Sequence, residues 1–334
     1  MTPSERRSLA HFTANVRPHF PPMHDSADPK IRDPESRLRH VTDELQQHIE
    51  REPPSLLCHY TNQHGLLGII STGEVWATSV NSLNDRKEFE YAKELAVSLV
   101  SSRIDVEPDE VKRRHLTYLH NAALNAGINI CVSSWSSRID DLSQWRAYGG
   151  TGTGYSIDLK GSTLRGFAKA QDFLLAACIY EKSAQERILR TLIDADLTQN
   201  IERERADPTK DEHERFMLEQ NGGDFAYHIN RYASLFKHPG FAAEEEWRLI
   251  SKPIRVSKMD FRPGISTIAS HFRFSLREDG EGGGKPKIRV ESVHVGPCPE
   301  PELAQKKVRF LLAKYSPPLH HPEVIVSNVP YRTW

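Results

Sequence analysis

Between Phe241 and the apolar pair Leu249-Ile250 the chain reads Glu244-Glu245-Glu246-Trp247-Arg248. Read as a strand, its side chains alternate between two faces, so Glu244, Glu246 and Arg248 share one face and Glu245 points the other way. Such a strand has two places in a fold. It is a solvated edge whose charges close a salt bridge, or a central strand whose charged face forms one wall of a cleft. Trp247, an aromatic residue that needs packing, favours the central position.

At 334 residues the chain is long enough for one large core or two ordinary ones. Its 44 basic and 45 acidic residues leave a net charge of -1, which argues against a bulk electrostatic nucleic-acid binder or a membrane-surface protein. The mean hydropathy of -0.57 fits a soluble globular chain, and no run approaches the ~20 apolar residues of a membrane helix. The N-terminus, with Arg6 and Arg7 before a broken apolar stretch, lacks the core of a signal peptide. Cys58, Cys131, Cys178 and Cys298 are far apart with no CxxC pair, which points to buried thiols in a reducing cytoplasm rather than zinc or redox chemistry. The expected localisation is cytoplasmic, and no metal site is assigned.

Residues 1–54 are polar and broken by prolines, with one amphipathic helix expected near Arg37 to Ile49, and read as an arm or peripheral element. Residues 55–334 read as a single α+β domain. Leu56 to Tyr60 predicts a strand, then Asn62 caps a helix that carries Leu66, Leu67, Ile69 and Ile70 and closes at Gly73. Strands are expected at Val75–Val80, Ile128–Trp135, Gly154–Leu159 and Phe173–Tyr180, and again at Phe272–Leu276, Ile288–Val295 and Val324–Ser327. Asp140 or Asp141 caps a short helix holding Trp145 and Tyr148. The charged stretch 181–236 reads as a helical insertion between strands. The fold class is therefore mixed α+β with largely antiparallel sheets and peripheral helices.

Several of these pieces occur in an order that resembles a bacterial family, the domain-of-unknown-function family numbered 2971. The residues that carry it are His59-Tyr60-Thr61, Leu66 to Gly73, Trp76-Ala77-Thr78-Ser79, Leu83-Asn84-Asp85 with Glu88, and Ser133-Ser134-Trp135. Further along stand Trp145-Arg146-Ala147-Tyr148, Gly154-Tyr155-Ser156, Tyr180, Lys237, the Glu244/Glu246/Arg248 strand, Gly296-Pro297, Ser327 and Pro330-Tyr331-Arg332. The resemblance runs from about residue 55 to 332. The same order of elements is also similar to the ADP-ribosyltransferase superfamily.

That second similarity implies an ADP-ribosyltransferase-like core with NAD as substrate. His59 would hold a ribose of NAD, with Tyr60 and Thr61 extending the polar strand end, and Ser79 would lie by the nicotinamide ribose. Glu246 would contact the ribose hydroxyl, with Glu244 two residues before it. The sequence departs from the clearest members in having Tyr60 after the histidine and no plain tyrosine motif on the second strand. The implied activity is mono-ADP-ribosyl transfer or NAD glycohydrolysis by a toxin or phage-defence effector. It would act on a protein or nucleic-acid acceptor, with an antitoxin or regulatory partner.

The residues have their own chemistry. Breaking the nicotinamide–ribose bond builds positive charge on the sugar, and a fixed carboxylate in a dry site stabilises it. Glu246 fits that role, Glu244 that of orienting or deprotonating the nucleophile, and Arg248 that of pairing a phosphate or locking a carboxylate. A histidine such as His59 can equally be structural, bonded to a backbone carbonyl. Asn84 or Asp85 caps the next helix with Glu88 in its first turn, or Asp85 and Glu88 line a cleft rim. Trp145 and Tyr148 read as core, Arg146 as a phosphate contact or a solvated residue, and Lys237 as a surface residue or a contact to a pyrophosphate or nucleic acid. The Gly149–Gly154 run precedes a strand rather than a helix, so it reads as a turn and not a dinucleotide loop. Two other functions stay open. One is a metal-dependent nuclease or phosphoesterase using Asp85, Glu88, Glu244 and Glu246. The other is a non-catalytic binding module with a closed ion-pair network.

Overall fold

The computed structural model describes residues 43–82, 86–125, 129–150, 153–206, 224–264, 267–278, 288–317 and 320–331. A ten-stranded, mostly antiparallel, open sheet is covered by helices on both faces. Its strands are β1 (Leu56–Thr61), β2 (Glu74–Ser79), β3 (Cys131–Ser136), β4 (Tyr155–Lys160) and β5 (Leu174–Ala177). They continue as β6 (Glu246–Ile250), β7 (Asp260–Pro263), β8 (Ile268–Ser275), β9 (Ser292–Val295) and β10 (Glu323–Val326). The path is β10-β9-β4-β1-β3-β2-β8-β7, with β6 paired to β3 and β5 to β6. The pair β9–β10 alone is parallel among these strand pairs.

β3 is the branch point. One edge pairs with β6 along its length, from Val132↔Ile250 to Ser136↔Glu246. The other edge pairs with β2 at its start, through Thr78↔Val132 and Ser79↔Cys131, and with β1 at its end, through Cys58↔Ser136. Between these contacts β1 and β2 diverge and leave the middle of that edge without a backbone partner strand. The sequence placed β3 well, but did not show β7, and Ile288 makes only an isolated bridge to Arg277 before β9 begins.

The helices are α1 (Asp43–Glu50), α2 (Gln63–Thr72), α3 (Arg86–Ile104), α4 (Glu110–Asn125) and α5 (Leu142–Tyr148). They continue as α6 (Gly161–Ala170), α7 (Lys182–Ala206), α8 (Asp224–Tyr232) and α9 (Pro301–Tyr315). Their ends follow local chemistry. Asn62 accepts a hydrogen bond from the Gly65 amide at 3.0 Å, and Gly73, at φ 68°, donates its amide to Ile69. Asp141 accepts from the Ser143 and Gln144 amides at the start of α5.

Two apolar cores form, one on each face. Residues of α1, α3, α4, α7 and α8 pack with Val132, Ala176 and Ile250 on one face. Residues of α2, α6 and α9 pack with Trp135, Ile157, Trp247 and Leu249 on the other. The stretch read as a charged insertion is therefore part of the core: Ile188, Leu189, Leu192, Ile193 and Phe225 are all buried. The charged residues between them hid that apolar stripe. The boundary expected at residue 54 also moves, because Leu45 of α1 is buried in the core and His48 bonds the Ala177 carbonyl at 2.9 Å.

Candidate functional site

Register assembles the site. Residues paired across neighbouring strands share a face, and the pairs Cys58↔Ser136 and Ser136↔Glu246 set Cys58, Ser136 and Glu246 in one row across β1, β3 and β6. On that face the large helical layer covers β3 and β6, while α5 covers β1 through Trp145, which packs on Cys58 and Tyr60. A pocket of about 60 Å³ lies beside this row. It is lined by Cys58, His59, Tyr60, Ser134, Trp135, Ser136, Gln144, Tyr148, Glu244 and Glu246.

The charged wall differs from a simple strand face. β6 begins at Glu246, and Glu244 ends a 3₁₀ turn, Pro239–Glu244. Glu245 between them adopts the left-handed conformation (φ 44°, ψ 48°). Its carboxylate is exposed and faces Arg138 and Ser137. Glu244 is thus brought to the pocket by a turn and a kink, not by alternation. Lys237 ties the two carboxylates together, with Nζ 2.5 Å from Glu244 Oε2 and 2.6 Å from Glu246 Oε2. Arg248 holds Glu246 from the other side, Nε to Oε1 at 2.7 Å, and donates through Nη1 to the Ser234 carbonyl. The Glu246 amide donates to the Tyr180 hydroxyl at 2.8 Å.

Lys237 is only 2% exposed. The surface reading of this residue is corrected: two carboxylates seven and nine positions later compensate the charge that burial would otherwise penalise. Burial pushes the Glu246 carboxyl up, but Arg248 and Lys237 pull it down to about 2, so it is ionised at neutral pH. Among the described residues, two cations face two carboxylates here. Both oxygens of Glu246 are occupied, whereas the Glu244 side chain remains 18% exposed and bonds Lys237 through one oxygen.

His59 sits at the fork between β1 and β2. Its Nδ1 donates to the Ser134 carbonyl at 2.9 Å, satisfying a β3 group that faces no strand there, and its ring lies 5.2 Å from that of Trp135. Burial lowers its pKa more than that bond raises it, so the ring is neutral with its proton on Nδ1. The Nε2 acceptor has no protein partner among the described residues.

The other expected residues divide. Tyr60 is buried and lines the pocket, and its hydroxyl donates to the Arg138 carbonyl at 2.6 Å. Tyr148 lines the pocket rather than filling the core, while Trp145 is core and donates to Asp140 at 2.8 Å. Arg146 is turned away and lies over the Tyr331 ring. Thr61 ends β1 and Ser79 ends β2, both outside the pocket lining, and the buried Ser79 hydroxyl has no hydrogen-bond partner among the described residues. Asn84 and Asp85 and the Glu88 side chain lie outside the described residues. Among the described residues, no group of three or more His, Cys, Asp and Glu side chains is arranged to hold a metal ion, and no helix is long and apolar enough to cross a membrane.

Gln144 escaped the sequence reading. It stands four positions before Tyr148, the spacing that puts two side chains on one helix face, and both line the pocket. That spacing was the available signal.

Residues 144–249 match the family model described as "Protein of unknown function (DUF2971)". The match contains Gln144, Tyr148, Lys237, Glu244, Glu246 and Arg248, while His59 and Tyr60 precede it. No curated protein and no solved structure matches the chain.

Proposed function

We propose that the chain cleaves NAD at the nicotinamide–ribose bond and passes the ADP-ribosyl group to a protein, a nucleic acid or water, on an ADP-ribosyltransferase-like core. One observation carries this reading: His59 of β1 and the carboxylates that lead into β6 line the same pocket. The pocket is small, with room for about four waters, so only one end of a dinucleotide enters it.

In the proposed reaction the C–N bond breaks and its electron pair leaves with nicotinamide, which departs neutral. The sugar carries the positive charge, and an acceptor oxygen or nitrogen then bonds to the same carbon. Glu244 is the reacting carboxylate, because it keeps an oxygen that Lys237 does not occupy. It takes the acceptor's proton and its charge faces the developing cation. Glu246 positions it through Lys237, and Arg248 fixes Glu246. Neutral His59 accepts a ribose hydroxyl on Nε2. The metal-dependent alternative is weaker, because the Lys237 ammonium already occupies the space between the two carboxylates.

The test is chromatography and mass spectrometry of NAD incubated with the purified protein. Nicotinamide release is expected, and Glu244→Gln lowers it on the order of 100-fold, with a smaller loss of melting temperature than Glu246→Gln because Lys237 keeps Glu246. Absence of release by the wild type sinks the reading; undiminished release by the variant sinks the role of Glu244. A binding module with a closed ion-pair network would show neither release nor a NAD-dependent melting shift.

A further inference from the structure

We infer that Gln144 reads the carboxamide of the nicotinamide end, which makes it the residue that sets substrate specificity; this rests on the NAD reading above. Gln144 is 5% exposed. Its backbone amide is used by the Asp141 cap, but no protein group bonds its side-chain amide among the described residues. Neither amide atom is sealed from solvent, and the residue lines the pocket. An amide that reaches the pocket without a protein partner is bonded there by water or by a ligand. The group facing the pocket is one donor and one acceptor held in a plane. A primary carboxamide complements it: the Gln144 N–H donates to the carboxamide oxygen and the Gln144 oxygen accepts from the carboxamide N–H. The volume, about 60 Å³, suits a carboxamide with part of its ring rather than a larger group. Tyr148, one helical turn further on the same wall and 38% exposed, flanks the opening through which the rest of the ligand extends.

The helix that presents Gln144 is held from behind. Asp141 caps it, Trp145 anchors it on Cys58 and Tyr60, and the Asp141 amide donates to the Tyr60 hydroxyl. The amide plane is therefore presented by a fixed element rather than a loop.

The experiment compares NAD with its 3-acetylpyridine analogue, in which a neutral methyl replaces the amide nitrogen. The ratio of kcat/KM for the two substrates is measured in the wild type and in Gln144→Met, which keeps the side chain's length. In the wild type the ratio includes the hydrogen bond from the carboxamide N–H. In the variant it falls about tenfold, the loss expected for one buried hydrogen bond. Gln144→Glu, which keeps an acceptor but no donor, retains the preference while turning over both substrates more slowly. If the wild type turns NAD over and the ratio is the same in Gln144→Met, Gln144 does not read the carboxamide and the NAD reading stands. If the wild type releases no nicotinamide at all, both fall together.

Discussion

The row of paired residues that carries Glu246 continues across the sheet, through Cys58↔Asp158 and Asp158↔Ser292, to a second buried charge cluster. There Asp158 accepts from the Ser156 and Ser292 hydroxyls at 2.6 Å each and from His294 Nδ1 at 2.7 Å. Both clusters lie on one face of one sheet, and both keep carboxylates out of water by giving them donors. They differ in closure. Asp158 is fully buried among its donors and does not line the pocket. At the other end the chain kinks at Glu245 and delivers a second carboxylate, Glu244, which shares the Lys237 ammonium and remains open to the pocket. Asp158 is closed off by its donors, whereas Glu244 keeps one carboxylate oxygen that Lys237 does not take.

Four measurements break or sharpen that contrast. Asp158→Ala leaves His294 and two serines facing a void, and urea denaturation should show a loss of about 3–5 kcal/mol. Nicotinamide release per folded molecule should be unaffected. Glu246→Gln removes the carboxylate that Lys237 and Arg248 share, so about 3 kcal/mol of stability and the activity should be lost together. Glu244→Gln should lose the activity with a smaller loss of stability, since Lys237 keeps Glu246; equal destabilisation by the two glutamate variants would erase the distinction between anchor and reagent.

The third measurement is of pH dependence. Burial pushes His294 down, but its hydrogen bond to Asp158 and the neighbouring negative charges carry it above its ordinary 6.5. Its contribution is complete below pH 6.5 and is lost as pH rises through the higher folded value. Stability should therefore decline as pH rises above 6.5, and His294→Gln should remove that part of the slope. Glu246 works in the opposite direction. Its contribution is present above pH 4.5 and is lost as pH falls towards about 2. The smallest effect belongs to Glu245→Gly. It relieves a left-handed backbone worth about 1 kcal/mol at the expense of exposed contacts worth little, so the melting temperature should rise slightly and release should not change.

Much of the scaffold was legible because its signals are local. Asn62, Gly73 and Asp141 act on amides or carbonyls within four residues, and β1 and β4 follow from short apolar runs. The site was legible only in part. The strand pattern rightly tied Glu246 to Arg248, but the left-handed turn at Glu245 moves Glu244 off the strand, and nothing in a run of three glutamates shows that kink. Burial of Lys237 depends on where the turn 239–244 folds back. His59 finds its partner in the carbonyl of Ser134, which is unpaired by strands only because β1 and β2 part at β3. Gln144 looks like an ordinary polar helix residue until a pocket is set beside it. Each of these depends on contacts between segments far apart in the chain, which periodicity does not encode.

The branch at β3 also governs how the chain can reach this state. That strand draws partners from residues 56–61, 74–79 and 246–250, so most of the sheet's centre closes across long stretches of chain. Contacts of such long range slow folding. During synthesis, β3 emerges with β1 and β2 already made but must wait for β6, and with it for Lys237 and both carboxylates. The pocket can be completed only once residue 246 has been made, and no N-terminal fragment ending before it can contain it.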